Sequence, residues 1–159
     1  MKPNILGVDP GKRMSFALLT GDGEMIKILT LDEYRNPILL KQAFYSFRVA
    51  GGNKMVVVSE GSFGMPNQSL QSTLALITPM LVLSGIAVAY GHDWHYVAPA
   101  TWKAHFNLPG GAANKHVSIQ RAIVYWPKHE HRFKSKRGSD RSEAALIALH
   151  FIQKELGHD

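Results

Sequence analysis

Three short apolar segments near the N-terminus constrain the fold of this chain most. Residues 4–8 form the first segment, and a Pro10-Gly11 turn signal separates it from the second, residues 16–19. Gly21-Asp22-Gly23 then precedes the third, residues 25–31. Segments of this length, separated by turns that contain Gly and Pro, are typical of β-strands. We therefore predict an antiparallel meander of three strands.

The remaining sequence alternates between helical and strand-like patterns. Asn36-Pro37 predicts a helix start with Pro37 in the first helical position, and Gly51-Gly52 predicts its end. The later predicted elements are a buried strand at 55–58, a helix at 67–84 that Pro79 must kink or divide, strands at 86–90 and 94–97, and helices at 99–106, 113–125 and 140–156. Strands followed by alternating strands and helices predict an α/β fold, with a mixed sheet flanked by helices.

Composition limits the classes of protein to consider. The chain has 159 residues, 45% of them apolar and 19% charged, which predicts one globular domain over residues 1–159. Residues 74–90 are the longest apolar stretch, but polar residues, Pro79 and Gly85 interrupt it, so we expect neither a membrane span nor a secretion signal. The second half of the 67–84 helix is apolar nearly all round, which predicts burial in the core or in a dimer interface.

Two residue patterns are missing from the sequence. The chain has no cysteine, which excludes disulfides and thiolate metal sites and fits a reducing cytoplasm. It also has no Gly-rich phosphate loop that ends in Gly-Lys-Ser or Gly-Lys-Thr, so we expect no nucleotide cofactor.

Positive charge is concentrated near the C-terminus. The formal net charge is +6. The basic residues between positions 128 and 141 are Lys128, Arg132, Lys134, Lys136, Arg137 and Arg141, and the acidic ones are Glu130 and Asp140. A solvated loop would explain such a run. Because the run lies beside Asp140, we favour a surface that binds nucleic acid.

Two carboxylates lie at the ends of predicted strands. Asp9 follows the apolar residues 5–8, and Glu60 follows the buried strand at 55–58 almost directly. Asp is a common turn residue, so Asp9 has a structural explanation as well as a functional one. An ionised Glu60 beside a buried strand is costly unless it is paired or bound to metal. If the two strands are neighbours about 4.8 Å apart, both side chains can share a cation.

Two further carboxylates, Asp140 and Glu143, open the last predicted helix. Their three-residue spacing puts them on one helix face. It also fits a capping box with Asp140 at the N-cap, which would need no chemistry. Four carboxylates together suit phosphodiester hydrolysis with two metal ions, because Mg²⁺ prefers oxygen ligands and two ions about 4 Å apart hold the attacking water and the leaving oxygen. A nuclease is therefore the leading hypothesis.

Three motifs give the sequence a family resemblance. Residues 5–13, Ile-Leu-Gly-Val-Asp-Pro-Gly-Lys-Arg, resemble the opening motif of the RuvC family of Holliday junction resolvases, which belongs to the ribonuclease H-like superfamily. Residues 58–63 resemble the second catalytic strand of that family, and residues 140–148 resemble its closing motif. Their order and spacing are close to those of the family, so the resemblance covers essentially the whole chain. It implies a ribonuclease H-like fold, with a mixed five-stranded sheet flanked by helices.

The resemblance also implies a metal site. Asp9, Glu60, Asp140 and Glu143 would bind two Mg²⁺ or Mn²⁺ ions per active site. The family usually has Asp at the position of Glu143, so the extra methylene could move the second ion or alter the metal preference, while the charge is kept.

The DNA contacts implied by the resemblance have ordinary structural alternatives. Lys115 matches a family lysine near the scissile phosphate and Lys103 another basic position, although both could be surface lysines. Phe63 matches an aromatic residue that stacks on a base near the junction centre, with core packing as the alternative. We assign further DNA contacts to the basic run, namely Arg132, Lys134, Lys136 and Arg137.

These features predict a structure-selective endonuclease that resolves four-way DNA junctions by paired symmetric nicks. The resemblance implies a homodimer that matches a symmetric junction, located in the cytoplasm of a bacterial or phage-infected cell or in an organelle. The alternatives are a broader nuclease that cuts forks, flaps or RNA/DNA hybrids, and a junction-binding protein without cleavage. A two-lobed sugar-kinase or actin-like fold would need a longer chain. The pairs His92/His95 and His129/His131 could suggest a transition-metal site, but they lack a third spaced ligand.

Overall fold

Five strands form one mixed β-sheet in the computed structural model, which describes residues 2–10, 13–52, 54–61, 69–109 and 115–157. The strands are β1 (Asn4–Asp9), β2 (Met14–Leu19), β3 (Met25–Leu31), β4 (Met55–Glu60) and β5 (Asp93–Val97), in the order β3-β2-β1-β4-β5. β1, β2 and β3 are antiparallel, whereas β4 is parallel to both β1 and β5. The predicted meander and the predicted mixed sheet are confirmed.

Six α-helices are described around this sheet. They are α1 (Pro37–Gly51), α2 (Leu70–Ala89), α3 (Pro99–His105), α4 (Lys115–Tyr125), α5 (Glu130–Phe133) and α6 (Gly138–Glu155), with a 3₁₀ turn at Pro127–His129. The predicted start of α1 is confirmed: the Asn36 side-chain oxygen accepts hydrogen bonds from the backbone N–H groups of Ile38 and Leu39, at 3.0 and 3.4 Å. Gly52, at φ +84°, follows the helix end.

The predicted strand at 86–90 is wrong, because residues 86–89 are the last turn of α2. A short apolar run does not distinguish a strand from a buried helix by its period, and Ser84-Gly85 does not break the helix. The helix also continues through Pro79, so that residue does not divide it. The predicted helix start at 67 lies outside the described residues.

The three central strands of the sheet, β2, β1 and β4, are buried on both faces. Helices α3, α4, α5 and α6 cover one face, which we call the α6 face, where Ile5, Val56 and Val58 lie in the core. Helices α1 and α2 cover the other face, above Leu6 and Val57. Because side chains alternate along a strand, the sequence position of a strand residue determines which set of helices it contacts.

Gly7 brings α6 unusually close to β1. A Cβ atom at Gly7 would lie 2.0 Å from the carbonyl oxygen of Ala144 and 2.9 Å from the Cβ of Ala148. Only a residue without a side chain fits there, so α6 packs directly on the strand backbone. Asp9 is two residues further along β1 and therefore points to the same α6 face.

Helix α2 contributes only one side to the core. Met80, Leu83 and Ala87 are buried, whereas Leu81 and Val88 are 58% and 63% exposed. By length and composition alone, α2 is also the one helix among the described residues that could cross a membrane, although core helices of soluble proteins pass the same test. The second half of α2 was predicted to be buried, and in this single chain that is confirmed for one face of the helix and not for the other.

Candidate functional site

Asp9 and Glu60 lie side by side at one edge of the sheet. β1 and β4 are parallel, with Val8 opposite Ser59, so the next residues of the two strands are neighbours. Asp9 is the last residue of β1 and Glu60 the last of β4. Asp9 points to the α6 face with Gly7, and Glu60 does so with Val58. Asp9 is 6% exposed and Glu60 is half-buried, which fits ligand carboxylates better than a solvated turn.

The first turn of α6 brings Asp140 to the same edge. This helix begins at Gly138, two residues before the predicted start, and its N-cap is Arg137, without a side-chain capping bond. The capping-box explanation for Asp140 and Glu143 is therefore wrong. Only a residue without a side chain fits at the start of α6, because a Cβ at Gly138 would lie 1.5 Å from the Phe133 carbonyl oxygen at the end of α5.

Glu143 is a half-buried residue of α6, next to Ala144, whose carbonyl oxygen lies close to Gly7 of β1. Burial raises the pKa of Glu143, and the nearby carboxylates of Glu60 and Asp140 raise it further, against the opposing charges of Lys103 and Lys115. The buried hydroxyl of Ser118, on α4, donates to the Oε1 atom of Glu143 at 3.4 Å. Carboxylates from β4 and α6 thus interact within one electrostatic cluster.

Two lysines approach this cluster from different helices. Lys115 is the first described residue of α4, and its Nζ lies 3.4 Å from the Oδ1 atom of Asp140. Lys103, on α3, lies with its Nζ 5.1 Å from the ring centroid of Trp102 and lowers the pKa of Glu143. Both predicted basic positions therefore lie beside the acidic cluster.

Sequence reasoning missed two residues of the site. The indole Nε1–H of Trp102 donates to the Oε2 atom of Glu60 at 2.8 Å, and Ser118 contacts Glu143 as described above. Trp102 is fully buried. Neither residue belongs to a local motif, because each reaches the site from a helix that packs back over the sheet.

The donor set fits a hard divalent cation. Asp9, Glu60, Asp140 and Glu143 offer only oxygen atoms, which Mg²⁺ and Mn²⁺ prefer. The like charges that raise the pKa of Glu143 would favour a bound cation. Within the described part of the chain, no three Asp, Glu or His side chains form a ready-made metal-ligand group. The four carboxylates share one edge and would have to draw closer together around an ion.

The basic run is more ordered than a solvated loop. Residues 127–133 form the 3₁₀ turn and α5, and α6 begins at Gly138. Lys134 pairs with Glu130, and Arg137 pairs with Asp32. The Arg141 Nε–H donates to the Thr30 hydroxyl at 3.1 Å.

Another arginine outside the predicted set joins these pairs. Arg13 also contacts Asp32, at 3.1 Å. Arg13 precedes β2 and Asp32 follows β3, so both lie at the edge of the sheet where Asp9 ends β1. Arg13 and Arg137 therefore lie at the same edge of the sheet as the acidic cluster, paired with Asp32, and Arg132 and Lys136 are exposed.

Two other predictions concern Phe63 and the histidines His92 and His95. Phe63 lies outside the described residues, so its stacking role stays a prediction. His92 contacts Phe44 on the α1–α2 face, with ring centroids 5.5 Å apart, whereas His95 contacts Phe151 on the α6 face at 5.0 Å. These two histidines lie on opposite faces and cannot share a metal ion.

Comparisons with known proteins agree with this architecture. No protein-family model and no curated protein sequence matches the chain. The structure of Thermus thermophilus RuvC in complex with a Holliday junction substrate matches with a TM-score of 0.69 at 13% identity, covering 98% of this chain and 97% of that one. The chain has the RuvC fold.

Two further solved structures support this fold. A second structure of Thermus thermophilus RuvC matches with a TM-score of 0.64 at 15% identity, over 98% of this chain and 97% of that one. The yeast mitochondrial Holliday junction resolvase Ydc2 matches with a TM-score of 0.62 at 13% identity, over 96% and 80% of the two chains. The predicted ribonuclease H-like architecture, with its mixed five-stranded sheet, is confirmed by the RuvC fold of these proteins.

Proposed function

We propose that this protein is a metal-dependent endonuclease that resolves four-way DNA junctions. One observation carries the proposal: on a RuvC fold, three separate elements bring Asp9, Glu60, Asp140 and Glu143 to a single edge of the sheet. Carboxylates at neighbouring positions, with Asp9 buried and the other three half-buried, repel each other and destabilise the fold unless positive charge compensates them. Their assembly is therefore better explained by chemistry than by stability.

The chain's own residues have distinct roles in this proposal. Asp9, Glu60, Asp140 and Glu143 would hold two Mg²⁺ or Mn²⁺ ions. When bound, such ions make the attacking water more acidic and stabilise the leaving oxygen. Lys115 lies within reach of Asp140 and would stabilise negative charge on the phosphate oxygens.

The charge distribution supports nucleic acid as the substrate. Lys103 and Lys115 act on the acidic cluster, and Arg13 and Arg137 pair with Asp32 at the same edge of the sheet, so a phosphate backbone brought to that edge meets positive charge. The RuvC structure that this chain resembles was determined with a Holliday junction substrate. We extend that substrate class to this protein, with the exposed Lys136 and Arg132 as outer contacts with DNA.

A homodimer formed through α2 would match the symmetry of a four-way junction. The exposed apolar side of α2 includes Leu74, Leu81 and Val88. Next to it, residues of α1 and α2 line an apolar groove of about 430 Å³. Exposed apolar surface of this kind marks interaction sites in soluble proteins. In sedimentation experiments, Leu81→Glu should give monomers, whereas Val124→Glu, a change of an exposed residue on α4, should leave the dimer intact.

The proposed activity is tested by cleavage of a labelled mobile four-way junction, beside a duplex, a fork and an RNA/DNA hybrid, with Mg²⁺, Mn²⁺ or a chelator. We expect paired symmetric nicks in the junction only, and only with metal. Comparable cutting of forks or hybrids would indicate a broader nuclease. Tight binding without cutting in either metal would indicate a junction-binding protein.

A carboxylate variant connects this assay to the site. Glu60→Gln should abolish cutting and keep junction binding, because the amide retains the shape of the side chain but loses its charge. Glu33→Gln is the matched control, since Glu33 is an exposed glutamate in the turn after β3. Equal cutting by both variants would remove Glu60 from the site.

A further inference from the structure

The contact between Trp102 and Glu60 links the core of the protein to the candidate site. β5 lies beside β4, with Val97 opposite Glu60, and the backbone N–H of Gly61 continues the pairing by donating to the Val97 carbonyl at 2.9 Å. α3 begins at Pro99, directly after β5. This short connection places Trp102 over the end of β4, where its indole N–H donates to the Oε2 atom of Glu60 at 2.8 Å.

A comparison with Trp126 shows what is unusual about this contact. Both indoles are buried, and Trp126 donates to the backbone carbonyl of Gly23, also at 2.8 Å. A buried indole N–H needs an acceptor, and a backbone carbonyl is sufficient. Trp102 instead uses a carboxylate at the strand end, although ionised side chains are expensive to bury. The need of the indole for an acceptor therefore does not explain why the acceptor is Glu60.

We propose that Trp102 is a positioning residue that holds the Oε2 atom of Glu60 and so presents Oε1 to a divalent cation. This inference rests on the proposed metal-dependent function and assigns a role within the same site. An indole N–H is neutral, so it orients the carboxylate without neutralising the charge that a cation needs. A lysine or arginine at this position would instead compete with the cation for Glu60.

The neighbouring residue explains why α3 suits this role. Lys103 lies with its Nζ 5.1 Å from the Trp102 ring centroid and acts electrostatically on Glu143. Successive residues of α3 thus act on two different carboxylates of the cluster, Trp102 by a hydrogen bond to Glu60 and Lys103 through its charge near Glu143. Trp102 fixes the orientation of one, and Lys103 offsets the charge of the other. Both effects depend on the packing of the fully buried Trp102 ring against the core.

The test removes one hydrogen-bond donor, the indole N–H, and keeps the aromatic ring. 3-Benzothienylalanine replaces the indole N–H by sulfur with almost the same shape, and it is introduced at position 102 of the full chain. Mn²⁺ affinity is measured by electron paramagnetic resonance titration without DNA. Because groups that orient metal ligands typically contribute 10- to 100-fold in affinity, we expect Mn²⁺ to bind at least about 10-fold more weakly.

The same replacement at position 126 is the matched control, since it removes an equivalent indole hydrogen bond that is not part of the site. It should leave Mn²⁺ affinity unchanged, and thermal unfolding should confirm that both variants fold. The replacement at 102 should also have little further effect on Mn²⁺ affinity in a Glu60→Gln background, because the oxygen that it orients is then no longer charged.

Each outcome bears on the inference in a defined way. A folded 102 variant that binds Mn²⁺ as tightly as the unsubstituted protein, or more tightly, overturns the positioning role. Equal losses at 102 and 126 would also overturn it, because the effect would then be structural. If the unsubstituted protein neither binds Mn²⁺ nor cuts junctions, the proposed function fails first. If it does both and only the 102 effect is missing, the inference alone fails.

Discussion

Replacing Gly7 by alanine tests whether close packing of α6 on β1 assembles the site. The new Cβ would lie 2.0 Å from the Ala144 carbonyl oxygen, whereas ordinary van der Waals contact begins at 3.4 Å. α6 must therefore move away from β1 by about 1.4 Å. That contact is with backbone and is the direct neighbour of Glu143, so no side-chain rotation relieves it. Overpacking of this kind typically costs about 1–3 kcal/mol of folding stability.

The same displacement should affect catalysis more than stability. It moves Asp140 and Glu143 relative to Asp9, and a misplacement of about 1 Å can cost roughly 100-fold in rate. We therefore expect Gly7→Ala to remain folded, to lose about 1–3 kcal/mol in urea unfolding and to cut four-way junctions about 100-fold more slowly.

Gly85→Ala is the matched control for the unfolding measurement alone, because Gly85 lies on the α2 side that we propose forms the dimer. Gly85 lies within α2, and a Cβ there would meet no atom within 4 Å. Alanine in an open helical position should stabilise the protein by about 0.5–1 kcal/mol. If Gly7→Ala unfolds at the same urea concentration as the unsubstituted protein and cuts junctions equally fast, α6 does not need this close approach and our account of the site geometry is refuted.

Three further predictions concern Asp9, the basic run and His150. Asp9→Asn should abolish cutting while junction binding in Ca²⁺ survives, and near-normal cutting would exclude Asp9 from the site. Neutralising Lys134, Lys136 and Arg137 together should weaken junction binding and reduce its dependence on salt concentration. Lys134 and Arg137 are also paired with Glu130 and Asp32. An unchanged salt dependence would show that this segment does not contact the DNA. Burial, reinforced by nearby positive charge, lowers the pKa of His150 to about 4 in the folded protein. As the pH falls below 6.5, His150 therefore becomes protonated in the unfolded chain before it does in the folded protein. Stability should therefore decrease between pH 6.5 and 4 by up to roughly 3 kcal/mol, and urea unfolding of His150→Gln should lack that part of the decrease.

The sequence predicted the parts of the site that depend on local patterns. Asp9 and Glu60 follow short apolar segments, so their strand-end positions could be inferred from the alternation of strands and turns. Their adjacency depended on the pairing of β1 with β4, which the motif order of a known family made predictable. The pattern at 86–90 failed because β-branched and apolar residues fit the last turn of a half-exposed helix as well as a strand.

Contacts between distant residues account for most of what the sequence did not predict. The start of α6 is an exception: it lies two residues before Asp140, and its N-cap residue Arg137 makes no side-chain capping bond. Trp102 carried no local signal of a role in the site, since its partner Glu60 lies 42 positions earlier in the chain. Ser118 and Glu143 meet only because α4 packs against α6. Residues that support ligands from neighbouring helices are therefore the part of a site that single-sequence reasoning misses.

Two kinds of donor hold the acidic cluster together, and they differ in what they leave available. Trp102 and Ser118 are neutral, so they orient Glu60 and Glu143 without removing charge. Lys115 is different, because its ammonium lies 3.4 Å from Asp140 and partly offsets that carboxylate. On the proposed function, Asp140 would hold a cation and Lys115 would contact the phosphate. The lysine that partly offsets the charge of Asp140 in this structure is therefore the same one that would contact the substrate.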